Sequence, residues 1–95
     1  MQPIGKVTAT LVAENTFSDK IAMHKGGFTL TISGISGDTV TLQRSADAGT
    51  TWIDYVAFTM DGVFAFNETN HDSHYRFGIK TGGYSAGTVI GFITY

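Results

Sequence analysis

The sequence contains no cysteine and one proline among 95 residues, and charged residues account for only 15% of it. Without cysteine there is no disulfide framework and no thiolate chemistry, so packing or association with other chains must hold the fold together. An ordinary domain has about 25% charged residues. Much of the surface is therefore weakly polar, which is typical of a thin β-sandwich with Thr and Ser outside or of a subunit that its neighbours cover.

Basic residues are also few, since six Lys and Arg stand against eight Asp and Glu, for a formal net charge of -2. This excludes the basic patch that attracts nucleic acids and anionic membranes, so we expect no nucleic acid and no membrane among the partners. Residues 1–16 hold one Lys and no continuous apolar run, and hence show neither a signal peptide nor a membrane span. We expect synthesis in the cytoplasm of the cell that makes it.

Helical periodicity is missing too, whereas alternation with a period of two recurs along the chain. Residues 27–34 alternate Phe28, Leu30 and Ile32 with Thr and Ser, and residues 6–13 and 37–45 alternate in the same way. Seven or eight such short segments, separated by Gly-, Asn- and Asp-rich turns, predict an all-β fold. We expect a two-sheet antiparallel β-sandwich of immunoglobulin-like or jelly-roll type, with a small barrel as the alternative. The single domain covers residues 1–95, with an N-terminal arm at 1–6.

One turn between predicted strands has a distinctive composition, "SADAGTTW" at residues 45–52. The carboxylate of Asp47 is placed to accept backbone N–H groups of the turn, and Gly49 supplies a backbone conformation that a Cβ would resist. Thr51 adds a hydroxyl group, and Trp52 opens the second strand with its indole against the first. We therefore interpret Ser45, Asp47, Gly49, Thr51 and Trp52 as a hairpin whose turn its own side chains hold.

The same five residues resemble the Asp-box of sialidases and of many β-rich extracellular and viral proteins. In those families the box is a folding element that lies away from the catalytic residues. Sialidases carry several boxes and an arginine cluster, whereas this chain has one box and two arginines, Arg44 and Arg76. Neither a nucleophile elbow nor a phosphate-binding glycine loop is visible. We expect no enzyme, with no catalytic and no cofactor-binding residues.

A broader resemblance covers residues 28–89, through "FTLTISG", "GDTVTLQRSADAGTTWIDYVAFT" and "YRFGIKTGGYSAGTV". This succession is similar to small structural proteins of tailed bacteriophages, from which Asp38 and Ala48 depart at positions where glycine is expected. The resemblance implies a component of the virion, on the outer capsid surface, that acts as a capsid decoration or cement protein. Its partners would be the major capsid protein and copies of itself, as trimers. A tail or fibre module is the less favoured location.

A short polar segment brings His71, Asp72 and His74 together, and imidazole with carboxylate can bind zinc. Three ligands without cysteine, in a loop where solvated polar residues collect, are more typical of an ordinary surface turn. We expect no metal and no cofactor.

Three predicted strands carry apolar residues on both faces, although a strand of a two-layer sandwich needs only one apolar face. In residues 51–59, Trp52, Val56 and Phe58 alternate with Ile53, Tyr55 and Ala57, and residues 63–67 and 89–95 repeat the pattern. Either a loop or the N-terminal arm covers the second face, or another protein does. The candidate interface residues are Met1, Gln2, Pro3 and Ile4 of the arm, and Gly82, Gly83, Tyr84 and Ser85 of a glycine-rich turn.

The competing hypothesis is a carbohydrate-binding module on a tail or fibre. Such a module would use Trp52, Tyr55 or Tyr84 as exposed stacking platforms. It requires that these rings face solvent together, whereas the hairpin interpretation buries Trp52.

Overall fold

A computed structural model of the chain describes residues 5–23, 26–68 and 73–95. Within them the regular elements are all strands and build two antiparallel sheets, which confirms the predicted β-sandwich. The described residues form nine strands rather than seven or eight, because β2, with 2 residues, is too short to show a periodicity. The strands are β1 (Lys6–Leu11), β2 (Thr16–Phe17), β3 (Ile21–Met23), β4 (Gly26–Ser33), β5 (Val40–Ser45), β6 (Ile53–Phe58), β7 (Gly62–Glu68), β8 (Ser73–Ile79) and β9 (Val89–Thr94).

The chain crosses between the two sheets several times. The first sheet has the strand order β1-β9-β4-β7, and the second has β2-β8-β5-β6, with β3 pairing farther along β8. Of the consecutive strands in the described residues, β5 and β6 alone pair with each other as a hairpin. The first and last strands pair along their whole length, from Lys6 opposite Thr94 to Leu11 opposite Val89.

The core lies between the sheets and follows the predicted alternation closely. Phe28, Leu30 and Ile32 of β4 are buried, and the intervening Thr29 and Thr31 are half-buried on the outer face. Aromatic rings join the two sheets. The ring of Phe28 lies 4.5 Å from that of Tyr75, and the rings of Phe58 and Phe64 are 4.3 Å apart.

Strand β5 departs from the expected pattern of one buried face, because Thr41 and Gln43 are buried as well as Val40 and Leu42. β5 is a central strand between β8 and β6. Side chains from both neighbours lie over its outer face, where Gln43 hydrogen-bonds to Asp54 of β6 and Arg76 of β8. A central strand thus loses its solvent-facing side even in a two-layer fold.

A partly buried ion pair connects the two sheets. The Nε of Arg44 on β5 lies 3.0 Å from Oε1 of Glu68 on β7, whose side chain is only 4% exposed. The hydroxyl of Tyr75 donates to the same oxygen at 2.6 Å, and the Arg44 Nη2 donates to the hydroxyl of Ser73 at 2.8 Å. Burial and the hydrogen bond to Glu68 raise the pKa of Tyr75, so its hydroxyl stays a donor.

The predicted division of β6 into two apolar faces is wrong at Tyr55. The register with β5 shifts between Leu42, which faces Val56, and Gln43, which faces Asp54. Tyr55 is therefore the extra residue of a β-bulge, and a bulge redirects side chains. Its ring lies 5.9 Å from that of Tyr75 and 6.0 Å from that of Phe66, both residues that face the core.

Gly78 allows β2 to approach β8, and we expect Gly78→Ala to lower the free energy of unfolding by about 1–3 kcal/mol. A Cβ at this position would lie 2.2 Å from the carbonyl oxygen of Thr16 and 2.5 Å from the ring of Phe17. Gly27→Ala is the matched control, since its Cβ would meet only the Phe66 carbonyl at 3.5 Å. Urea unfolding of both variants measures the effect, and equal losses would contradict this account.

Candidate interaction surface

The turn between β5 and β6, residues 46–52, is held by the side chain of Asp47. Its Oδ1 accepts hydrogen bonds from the backbone N–H of Thr51 at 2.8 Å and from the hydroxyl of Ser45 at 2.6 Å, and its Oδ2 accepts from the Thr51 hydroxyl. The Ser45 oxygen in turn accepts the N–H groups of Asp47 and Gly49. Two side chains thus bind the backbone of a seven-residue connection.

The electrostatics of this turn favour an ionised Asp47. Hydrogen bonds from the Ser45 hydroxyl, and then from the hydroxyl and N–H of Thr51, lower the pKa of Asp47 from 3.8 to about 2. Two consecutive residues have left-handed backbones, Ala48 with φ of 62° and Gly49 with φ of 95°. Lys20 adds a hydrogen bond from Nζ to the carbonyl of Ala48 at 2.7 Å.

Trp52 precedes β6 rather than opening it, and the ring packs against β8 rather than only against β5. The guanidinium carbon of Arg76 lies 4.5 Å from the Trp52 ring and 4.1 Å from the ring of Phe17. Its Nε donates to Gln43 at 2.7 Å, which helps to hold the guanidinium close to both rings. Trp52 is half-buried, so one face of the indole is already occupied.

A groove of about 370 Å³ lies on the outer face of the second sheet. Asp54 lies at its wall, forms an ion pair with Lys80 and accepts a hydrogen bond from Gln43 at 2.9 Å. The Lys80 ammonium, followed by the Gln43 amide, lowers the pKa of Asp54. The lining residues combine hydroxyl, apolar and charged groups: Thr39, Thr41, Asp54, Tyr55, Val56, Ala57, Lys80, Thr81, Gly82 and Gly83.

The glycine-rich turn at 82–85 is tied to the loop that precedes β5. The buried carboxylate of Asp38 accepts the N–H groups of Ser36, Ser85 and Ala86, and the Thr39 N–H donates to the Gly83 carbonyl at 2.8 Å. The hydrogen bond from Ser85 is the main cause of the lowered pKa of Asp38. Asp38 thus has a structural role. The sequence resemblance to phage proteins had marked this residue only as a departure from an expected glycine.

Within this turn the predicted interface residues differ in exposure. Gly82 and Ser85 are exposed, whereas Gly83 and Tyr84 are half-buried. The Tyr84 ring packs against the core, and its hydroxyl donates to the Gly87 carbonyl at 2.9 Å. The Tyr84 side chain therefore packs within its own turn and does not present its whole ring to a partner.

Exposed apolar side chains occur along β6 and where it turns into β7, at residues 53–63, here called the β6–β7 corner, with Ile53 at the start of β6 and Met60 and Val63 at its other end. Ile53 and Val63 are each 69% exposed, Met60 is 68% exposed and Tyr55 is 49% exposed. The Asp61 carboxylate in this corner accepts the N–H groups of Gly34 and Ile35. Both of the corner's carboxylates, Asp54 and Asp61, are thus engaged by other groups, which leaves the apolar side chains as its main exposed feature.

The remaining predicted residues lie partly outside the described ranges. These are Met1, Gln2, Pro3 and Ile4 of the arm, and His71 and Asp72 of the polar segment. Among the residues that the structure describes, no group of three His, Asp or Glu side chains is placed to hold a metal ion. No helix in the described ranges is long and apolar enough to cross a membrane.

Comparisons of the chain with models of protein families, with curated protein sequences and with solved structures returned no match. Its surfaces therefore have to be interpreted from their own contacts.

The left-handed backbone of Ala48 predicts a stabilising substitution. A left-handed conformation costs an L-residue about 1–2 kcal/mol, whereas glycine loses about 0.5–1 kcal/mol through its extra freedom in the unfolded chain. We expect Ala48→Gly to raise the free energy of unfolding by about 0.5–1 kcal/mol in a thermal melt. Ala46→Gly, next to it but without a positive φ, is the control and should lower stability.

The lowered pKa of Asp47 predicts a pH dependence. A carboxyl whose pKa is lower in the folded state stabilises the fold above its unfolded pKa, and this contribution is lost as the pH falls through the folded value. At pH 7 we expect Asp47→Asn to melt several degrees below the wild type. Between about pH 4 and pH 2 the two melting temperatures should converge, because the variant has no such carboxylate to protonate.

Circular dichroism melts at a series of pH values measure this convergence. The exposed Asp19 lies outside the turn, and Asp19→Asn serves as the control. A difference in melting temperature between wild type and Asp47→Asn that stays constant down to pH 2 would contradict the stabilising role of the Asp47 carboxylate.

Proposed function

We propose that this chain is a non-enzymatic structural protein of a phage particle, a capsid decoration protein that binds the outer surface of the assembled head. In this role it contacts the major capsid protein and copies of itself. The observation that carries the proposal is the β6–β7 corner, where Ile53, Met60 and Val63 are each about two-thirds exposed in a domain of 95 residues. Several exposed apolar residues along one side of a small domain are typical of a surface that a partner covers.

The architecture supports binding through shape rather than chemistry. The strands are fixed by antiparallel pairing, and Asp38, Asp47 and Asp61 bind the backbones of the connections. A rigid module of this kind can bridge neighbouring subunits with little loss of conformational entropy, since its surface is already ordered. The resemblance over residues 28–89 supports the same role.

The second candidate is a tail or fibre module that binds carbohydrate. The observation in its favour is the groove of about 370 Å³ with Thr39, Thr41, Asp54 and Lys80 in its wall, since hydroxyl and charged groups suit a sugar. The three aromatic residues proposed as stacking platforms give this candidate little support, because each is engaged by other residues of the chain. Trp52 is covered on one face by Arg76, Tyr55 contacts the core-facing Phe66, and Tyr84 packs within its own turn.

The test is the copy number of the protein in purified virions. A decoration protein should occur in a fixed ratio of order one to the major capsid protein in quantitative mass spectrometry of gradient-purified particles. A few copies per particle, found with the tails after heads and tails are separated, would favour the carbohydrate-binding candidate. Absence from the particles would overturn the proposal.

Rebinding to heads that lack the protein locates the contact surface. Ile53→Asp should weaken rebinding at least tenfold, because it places a charge in the β6–β7 corner. Val12→Asp is the matched control, since Val12 is 56% exposed and lies outside the corner. Equal binding of the two variants would exclude the corner as the contact.

A further inference from the structure

Strand β7 lies at the end of the first sheet. Its seven residues pair with β4 from Gly62 opposite Ile32 to Glu68 opposite Gly26. In the part of the chain that the structure describes, no strand pairs with its other side. An edge of this kind presents unpaired N–H and C=O groups to a further strand.

Other edge strands carry devices that discourage such pairing, whereas β7 carries one only at its last residue, where the charge of Glu68 points inward. β6, at the end of the second sheet, contains a bulge and the charged Asp54, and β1 begins with Lys6. Residues 62–67 of β7 contain neither a charge nor a proline, and the carboxylate of Glu68 points inward to Arg44. β7 is therefore the edge with the least protection against another chain.

The sequence of β7 is also complementary to itself. In an antiparallel pair centred on Ala65, Phe64 of one copy lies opposite Phe66 of the other, and Val63 lies opposite Asn67. The first pair joins aromatic rings on the core-facing side, and the arrangement places no like charges opposite each other. A two-fold axis through Ala65 satisfies both copies equally, as a closed dimer requires.

We propose that β7 pairs antiparallel with β7 of a second copy, so that the two first sheets join into one eight-stranded sheet. The pairing brings the β6–β7 corners of both copies to the junction. Val63 on β7 is 69% exposed, and Met60 and Tyr55 outside this strand are 68% and 49% exposed, so the apolar area of Met60 and Tyr55 adds to that of the strand pair. This inference does not depend on the capsid role, and its two-fold symmetry differs from the trimer that the phage resemblance implies.

A single cysteine provides the first test, because the chain has no natural cysteine. Ala65→Cys places two thiols directly opposite each other at the proposed axis, where cross-strand Cβ atoms are about 4.5–5.5 Å apart. We expect mild oxidation of this variant to give a covalent dimer at least tenfold faster than Thr10→Cys. Thr10 is the matched control, since it is exposed on the same sheet but lies on β1 at the opposite edge. Equal rates for the two variants would overturn the proposal.

Solution mass provides the second test, by light scattering across a tenfold concentration range. The wild type and Thr10→Lys should have twice the 10.2 kDa mass of the chain. Ala65→Lys brings two like charges together at the axis and should be monomeric, with a circular dichroism spectrum that matches that of Thr10→Lys. A monomeric or trimeric wild type would overturn the proposal, as would an Ala65→Lys variant that stays dimeric. A dimer through β7 together with absence from virions would leave this inference standing and remove the capsid role alone.

Discussion

The buried carboxylate of Glu68 is the constraint on which the arrangement of the two sheets depends. It belongs to β7 in one sheet and is bound by Arg44 and Tyr75 from the other, at 3.0 and 2.6 Å. An unpaired charge in this position would cost several kcal/mol, so an alignment of the two sheets that brings these groups together is favoured over one that separates them.

In the connections between strands, aspartate side chains restrain the backbone, as disulfides and prolines do in other small domains. Asp38 joins the loop before β5 to the turn at 82–86, Asp47 closes the hairpin turn, and Asp61 ties the β6–β7 corner to Gly34 and Ile35. Each carboxylate accepts backbone N–H groups that no strand pairs. The hydrogen bonds favour the charged form, and they lower the pKa values of Asp38 and Asp47. A chain with few charges thus uses several of its acidic residues within its own framework.

Four of the six large apolar side chains that are exposed in the described residues lie on β6, β7 or the connection between them. β6 and β7 end their respective sheets on the same side of the sandwich, joined by a connection of three residues, 59–61. The exposed Ile53, Met60 and Val63 belong to these two strands and to the connection between them. Self-association and binding to a larger assembly would use the same region. The two would compete if they used the same edge, and they could occur together if they used different edges.

Much of the fold was predictable from alternation. The inward residues of β1, β4, β7 and β9 are those that the period of two predicts, because a pleated strand with one apolar face can bury only that face. The alternation also contained a signal for the partly buried ion pair. Arg44 follows Val40 and Leu42, and Glu68 follows Phe64 and Phe66, so each charge occupies an inward position and the two have opposite signs.

The sequence by itself determined most of the strands, the buried faces of β1, β4, β7 and β9, and the residues that bind within the hairpin turn, since these depend on neighbours within a few residues. The tertiary structure alone decided which strands lie at the edges, where the bulge places Tyr55, and that Asp38 binds a turn 47 residues away. It also placed Arg76 between Phe17 and Trp52, which are remote in the chain. Such contacts depend on the order of strands in the sheets, and alternation carries no information about that order because every inward face is apolar in the same way.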